Sequence, residues 1–183
     1  METSLEYILG NFYKPEMVAY LAEHPEEFQK AIALAISDKQ PYSWRAAWLL
    51  WSCMEKDDPR IREHIPAIIS AIKSLPDGHQ RELMKILQLM ELEEEHEGVL
   101  FDISASIWEK IHKQPSVRYN AFITMVKIAE KYPELLNDLG FLAQSQYLET
   151  LSPGVKRGID KMIQKLNFIY SPGDFESPGE FRT

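Results

Sequence analysis

The chain has a single cysteine, Cys53, and only eight glycines among 183 residues. One cysteine excludes an internal disulfide and fits a reducing compartment, so the expected location is the cytoplasm. Scarce glycine goes with missing phosphate loops: no P-loop, Gly-x-Gly-x-x-Gly, Gly-x-Ser-x-Gly elbow or His-Glu-x-x-His occurs. Apolar runs such as Ala46–Trp51 are far too short to span a bilayer. The opening METSLEYILGNFYKPE lacks a basic region and a long apolar core, so it does not read as a signal peptide. A strongly basic segment is also missing. Net charge is -8, and the acid collects in residues 1–42, with three basic and seven acidic groups, and 79–116, with four and eight. Nucleic-acid binding needs a basic stripe to neutralise phosphates, and this balance disfavours it. Lys156, Arg157, Lys161 and Lys165 form a local basic cluster that reads more simply as a solvated helix face.

What the chain does have is helical periodicity. Ile61, Ile65, Ile68, Ile69, Ile72 and Leu75 recur at steps of three and four, as do Leu83, Ile86, Leu87 and Met90. Pro15, Pro25, Pro59, Pro115, Pro133 and Pro153 fall where helices would begin, a position that tolerates a missing N–H. No strand is predicted. Helical pairs are predicted at about 25–38 with 43–56, 59–75 with 78–92, 95–113 with 116–131, and 133–150 with 153–169. Helices at about 4–11 and 14–23 would cap the N-terminal end, and Pro66 would kink its helix near Ile65. Short connections make neighbouring helices antiparallel.

Four arginines mark a period. Arg45, Arg81, Arg118 and Arg157 are spaced by 36, 37 and 39 residues, and each opens a similar apolar stretch. A period of this size denotes stacked supersecondary units. Val117-Arg118-Tyr119-Asn120-Ala121, followed by Ile128-Ala129, resembles the opening of a HEAT-repeat B helix, and Arg45-Ala46-Ala47 and Arg81-Glu82-Leu83 are looser copies. The resemblance, to HEAT-like or armadillo-like repeats, covers about 25–169. It implies an all-α, right-handed α-α superhelix, or solenoid, of about four antiparallel hairpins. The expected organisation is one domain over 1–169, with capping helices in 4–23, repeats at about 25–56, 59–92, 95–131 and 133–169, and a non-helical tail over 170–183. HEAT repeats often pair the arginine with a turn aspartate, which would match Asp77 to Arg81 and Asp38 to Arg45. The B helices of such stacks line the concave surface, so the family places binding residues there.

Trp44, Trp48 and Trp51 lie at i, i+4 and i+7, on one side of a helix. Buried, they are core; exposed, Trp44 and Trp48 are interface anchors, because tryptophan covers much area at low entropic cost. The four arginines have the same two readings: structural clamps on turn carbonyls or neighbouring carboxylates, or a row of anion-binding groups. The candidate partner-binding set is therefore Trp44, Trp48, Arg45, Arg81, Arg118 and Arg157.

No catalytic, cofactor-binding or metal residue is predicted. Glu93/His96 and Glu109/His112 have Glu-x-x-His spacing, but opposite ends of one helix cannot share a dimetal site. Cys53 sits in an apolar helix and reads as an inert thiol. The tail nearly repeats itself, Ser171–Phe175 against Ser177–Phe181, and Phe175 and Phe181 are candidate anchors. The leading function is a non-enzymatic scaffold that holds a protein or peptide on its concave face. The alternatives are a nucleic-acid module resembling DNA-alkylation repeats, and a small enzyme with a site shared between subunits.

Overall fold

The computed structural model of the protein describes residues 2–169, and every regular element in it is helical. The chain divides into two compact units, Met1–Met125 and Val126–Thr183.

In the first unit, α1 (Ser4–Asn11) and α2 (Lys14–Glu23) precede three helical pairs. Thr3 starts α1 with a reciprocal capping box: its hydroxyl accepts from the Glu6 amide, and Glu6 accepts from the Thr3 amide. The pairs are α3 (Glu27–Ala35) with α4 (Tyr42–Cys53), α5 (Ile65–Ile72) with α6 (Asp77–Leu87), and α7 (Glu94–Glu109) with α8 (Pro115–Ala129). α4 packs on α6 and α5 on α7, so like helices of successive hairpins stack in two layers. The apolar stripes read from sequence fill the space between: Ile61, Ile68, Ile72, Leu83 and Ile86 are all buried. Pro66 does not kink a long helix. A short 3-10 turn over Arg62–His64 comes first, and α5 begins at Ile65 with Pro66 in its first turn, where no intrahelical N–H is lost.

Hydrogen bonds between stacked hairpins carry the period. Glu6 binds Lys39 across 33 residues, Gln29 binds His64 across 35, and Gln88 binds the Asn120 carbonyl across 32. The interloop contacts fall to aspartates. Asp57, in the left-handed region with φ 55, donates its amide to the Leu89 carbonyl and accepts from the Glu91 amide. An aspartate tolerates that conformation better than most residues. Asp77 accepts from Lys113 Nζ at 2.5 Å and from the Gln114 amide at 2.8 Å. Asp77 thus reaches forward to the next hairpin instead of serving Arg81. Arg45 likewise binds the Phe12 carbonyl and not Asp38.

The second unit holds the last turn of α8, a 3-10 turn at Pro133–Leu135, α9 (Leu136–Leu142), α10 (Ser145–Leu148) and α11 (Pro153–Ile169). The continuous helix expected over 133–150 is interrupted at Gln144, which is extended. Asn137, Asp138, Gly140 and Ser145 are weak helix formers, and they leave the segment in short pieces. α11 packs on α9, and Leu139, Leu142, Leu151, Ile159 and Leu166 are buried. The tail, with Phe175 and Phe181, lies outside the described residues.

Candidate functional site

The candidate residues fall into different settings. Trp44, Arg45 and Trp48 stand together on α4 and are all half-buried. Their side chains meet Tyr13, Lys14 and Met17 at the start of α2, and the six residues line a pocket of about 170 Å³. Trp44 rests on the second residue of α6, Gly78: a Cβ there would lie 3.5 Å from the indole nitrogen. Arg45 donates from Nη2 to the Phe12 carbonyl at 2.9 Å, in the turn between α1 and α2, while its Nε is buried with no hydrogen-bond partner.

One turn further along α4, Trp51 enters a second cluster. Its indole N–H donates to Glu82 of α6 at 2.5 Å, and Glu82 is fully buried. A buried carboxylate requires compensating donors. Arg81 supplies one from Nε at 2.7 Å and Lys85 another at 3.3 Å. Lys85 also sits 4.3 Å from the Trp51 ring centroid, and Lys14 lies 5.5 Å from the rings of both Trp48 and Trp51. These are cation–π distances. Arg81 Nη1 continues to Ser116 of α8 at 3.3 Å. Arg45, Arg81 and Lys85 of α4 and α6, with Lys14 of α2 beside them, thus gather four cations near the buried Glu82, on a chain of net charge -8.

Arg118 leaves the candidate set. It has no exposed surface, its Nε donates to the Trp108 carbonyl at 2.8 Å, and its guanidinium lies 4.7 Å from the Trp108 ring centroid. Burial pulls its pKa below the usual arginine range. It offers no surface to another molecule. Arg157 is exposed on α11, in the second unit.

Sequence reasoning missed Tyr13, Lys14, Glu82 and Lys85. Glu82 was detectable, because it lies three residues after buried His79 and four before buried Ile86, in the register of the apolar stripe. A charge at such a position implies dedicated partners. Lys14 and Tyr13 gave no such signal.

The remaining chemistry is sparse. Burial pushes the half-buried Cys53 thiol up, away from a reactive thiolate. Glu93 immediately precedes α7 and Glu109 ends it, so the two Glu-x-x-His pairs sit at opposite ends. Among the described residues no group of three or more His, Cys, Asp or Glu is placed to hold a metal ion. A wider cleft of about 520 Å³ opens beside α5 and α7, lined by Lys73, Gln80, Asp102, Lys110 and Lys113 among others. Lys113 is already bound to Asp77 and Gln80. No described helix is long and apolar enough to cross a membrane.

No curated protein and no solved structure matches the chain significantly. A family model described as HEAT repeat domain matches residues 2–166. That span covers both the periodic arginines and the stacked hairpins, and the chain belongs to the HEAT repeat domain family.

Proposed function

We propose that the protein is a non-enzymatic scaffold that binds a protein or peptide on the face formed by α4 and α6, with the start of α2 at its edge. One observation carries this reading: Trp44 and Trp48 stay half-buried around an open pocket instead of closing into the core. Indoles held in place by neighbours supply large contact area with little entropy left to lose, which suits anchors of an interface. Arg45, Arg81, Lys14 and Lys85 give the face its charge. HEAT repeats generally mediate protein interactions, in keeping with a family that offers surfaces more often than reaction centres. Lone Cys53 suits a cytoplasmic setting.

The nucleic-acid alternative draws on the same cations. Two of them, Arg81 and Lys85, already compensate Glu82. That leaves too little free positive charge to follow a phosphate backbone.

The test is a peptide-display selection on the immobilised full chain, run in parallel on Trp44→Ala. Peptides retained by the wild type and lost from the variant support the reading. No enrichment, or equal enrichment on both, overturns it.

A further inference from the structure

Resting on that binding face, we propose that the pocket between α2 and α4 recognises a phenylalanine flanked by carboxylates in a flexible segment of a partner protein.

Size comes first. The pocket, at about 170 Å³, is below the usual range for small-molecule and cofactor sites. It suits one large apolar side chain. Its walls are the rings of Tyr13, Trp44 and Trp48 and the Met17 thioether, surfaces that favour an aromatic occupant. Tyr13 is 81 % exposed, the most exposed large hydrophobic residue among those described, and it stands at this pocket. Ordinary core packing does not explain its placement.

Charge comes second. Lys14 and Arg45 also line the pocket, and neither has an ion-pair partner among the described residues. Arg45 is held by a neutral carbonyl, which positions its guanidinium without cancelling its charge. Lys14 is held over two indoles, with the same result. Arg81 and Lys85, a turn away, differ because Glu82 compensates both. Two uncompensated cations beside an apolar hole on an acidic chain are complementary to carboxylates beside an aromatic ring. They are too few for a polyanion, whose binding scales with the number of phosphates neutralised.

Residues 171–181 of the chain, SPGDFESPGEF, contain one phenylalanine with acidic side chains on both sides, Phe175, and a second, Phe181, preceded by one, and supply a ready probe. A fluorescein-labelled peptide of that sequence is titrated with the full chain, and binding is read by anisotropy. Saturable binding is expected, weakened about tenfold or more when both peptide phenylalanines become alanine, as for loss of an anchor. Lys14→Glu is expected to weaken it about tenfold with only a small fall in melting temperature, since Lys14 is exposed and its cation–π contacts contribute little at such a site. Tyr13→Ala provides a second variant at an exposed position, with the same expected direction.

Equal affinity for the alanine peptide, or an unchanged affinity in both protein variants, overturns the proposal. So does displacement of the peptide by a thymidine oligonucleotide at equal concentration. A full chain carrying Phe175→Ala and Phe181→Ala should bind the probe as the wild type does. Tenfold tighter binding would identify the chain's own end as the occupant and overturn the partner assignment. If display selection yields Trp44-dependent peptides lacking the carboxylate–phenylalanine pair, the binding face stands and this specificity fails.

Discussion

Replacing Arg118 by alanine is the sharpest test of how the hairpins are held. Arg118 is fully buried, bonds the Trp108 carbonyl at 2.8 Å and lies against the Trp108 ring, which in turn meets Phe122 with centroids 4.7 Å apart. A hydrogen bond from a charged donor contributes about 1.5–3 kcal/mol. A desolvated cation–π contact adds ~2 kcal/mol. Desolvation of the guanidinium opposes both, as its lowered pKa records. Alanine also leaves a void where a long side chain packed, and it removes one donor from the Trp108 carbonyl. The net expectation is a loss of about 3 kcal/mol. For a chain of this length that lowers the melting temperature by about 6–12 °C. Arg118→Met keeps much of the volume and removes the buried charge, so its loss should be about 1–2 kcal/mol. Arg157→Ala, at an exposed position, should stay within about 0.5 kcal/mol of wild type. Thermal unfolding followed by circular dichroism at 222 nm compares the three. An unchanged melting temperature for Arg118→Ala, or equal effects at 118 and 157, would refute a buried clamp.

Glu82→Ala removes the acceptor shared by Trp51, Arg81 and Lys85, and should cost about 2–3 kcal/mol in urea unfolding. Retained stability would mean the cations relax into solvent freely. Asp77→Ala should cost about 1–2 kcal/mol and speed hydrogen exchange at the Gln114 amide, which Asp77 accepts. Burial pushes the His79 pKa down, and the hydrogen bond between Nε2 and the Ala35 carbonyl only partly opposes it. The unfolded chain then binds the extra proton, so stability is full above about pH 6.5 and declines as pH falls below it. His79→Gln should flatten that slope between pH 7.5 and 5.5 in denaturant titrations. Asp58 gives a second, more acidic slope. The hydrogen bonds from Arg60 hold its carboxyl below the ordinary range, so stability present above about pH 4 is lost on further acidification.

The helices were legible because their signals are local. Apolar steps of three and four and prolines at helix starts placed α1 to α4, α7, α8 and α11 within about four residues, while α5 starts six residues later and α6 ends five earlier than expected. The segment at 133–150 was not legible, since its breaks follow from weak helix formers whose summed effect no single residue announces. The arginine period announced stacking but not the duty of each arginine. Arg45 binds a turn carbonyl, Arg81 a neighbouring carboxylate, Arg118 a carbonyl within the core, and Arg157 faces solvent. Glu82 and Trp108 lie within ten residues of the arginines they bind, whereas the Arg45–Phe12 and Arg81–Ser116 bonds depend on what an adjacent hairpin presents, 33 and 35 residues away. The same holds for Asp77, whose partners proved to be Lys113 and Gln114.

The three tryptophans of α4 show how a neighbour decides between structure and binding. All three share one side of the helix. Opposite Trp51, α6 presents Glu82, and a buried carboxylate with an indole N–H makes a fixed structural pair. Opposite Trp44, α6 presents Gly78, which has no side chain to offer and leaves the indole edge against bare backbone. Trp48 lies between, beneath an uncompensated Lys14. The surface thus grades along one helix from satisfied to available, and the available end is where Tyr13 and Arg45 complete the pocket. Nothing in the sequence spacing of the tryptophans separates the two ends. The separation comes from α6, where a glycine and a glutamate four residues apart give one indole space and the other a partner.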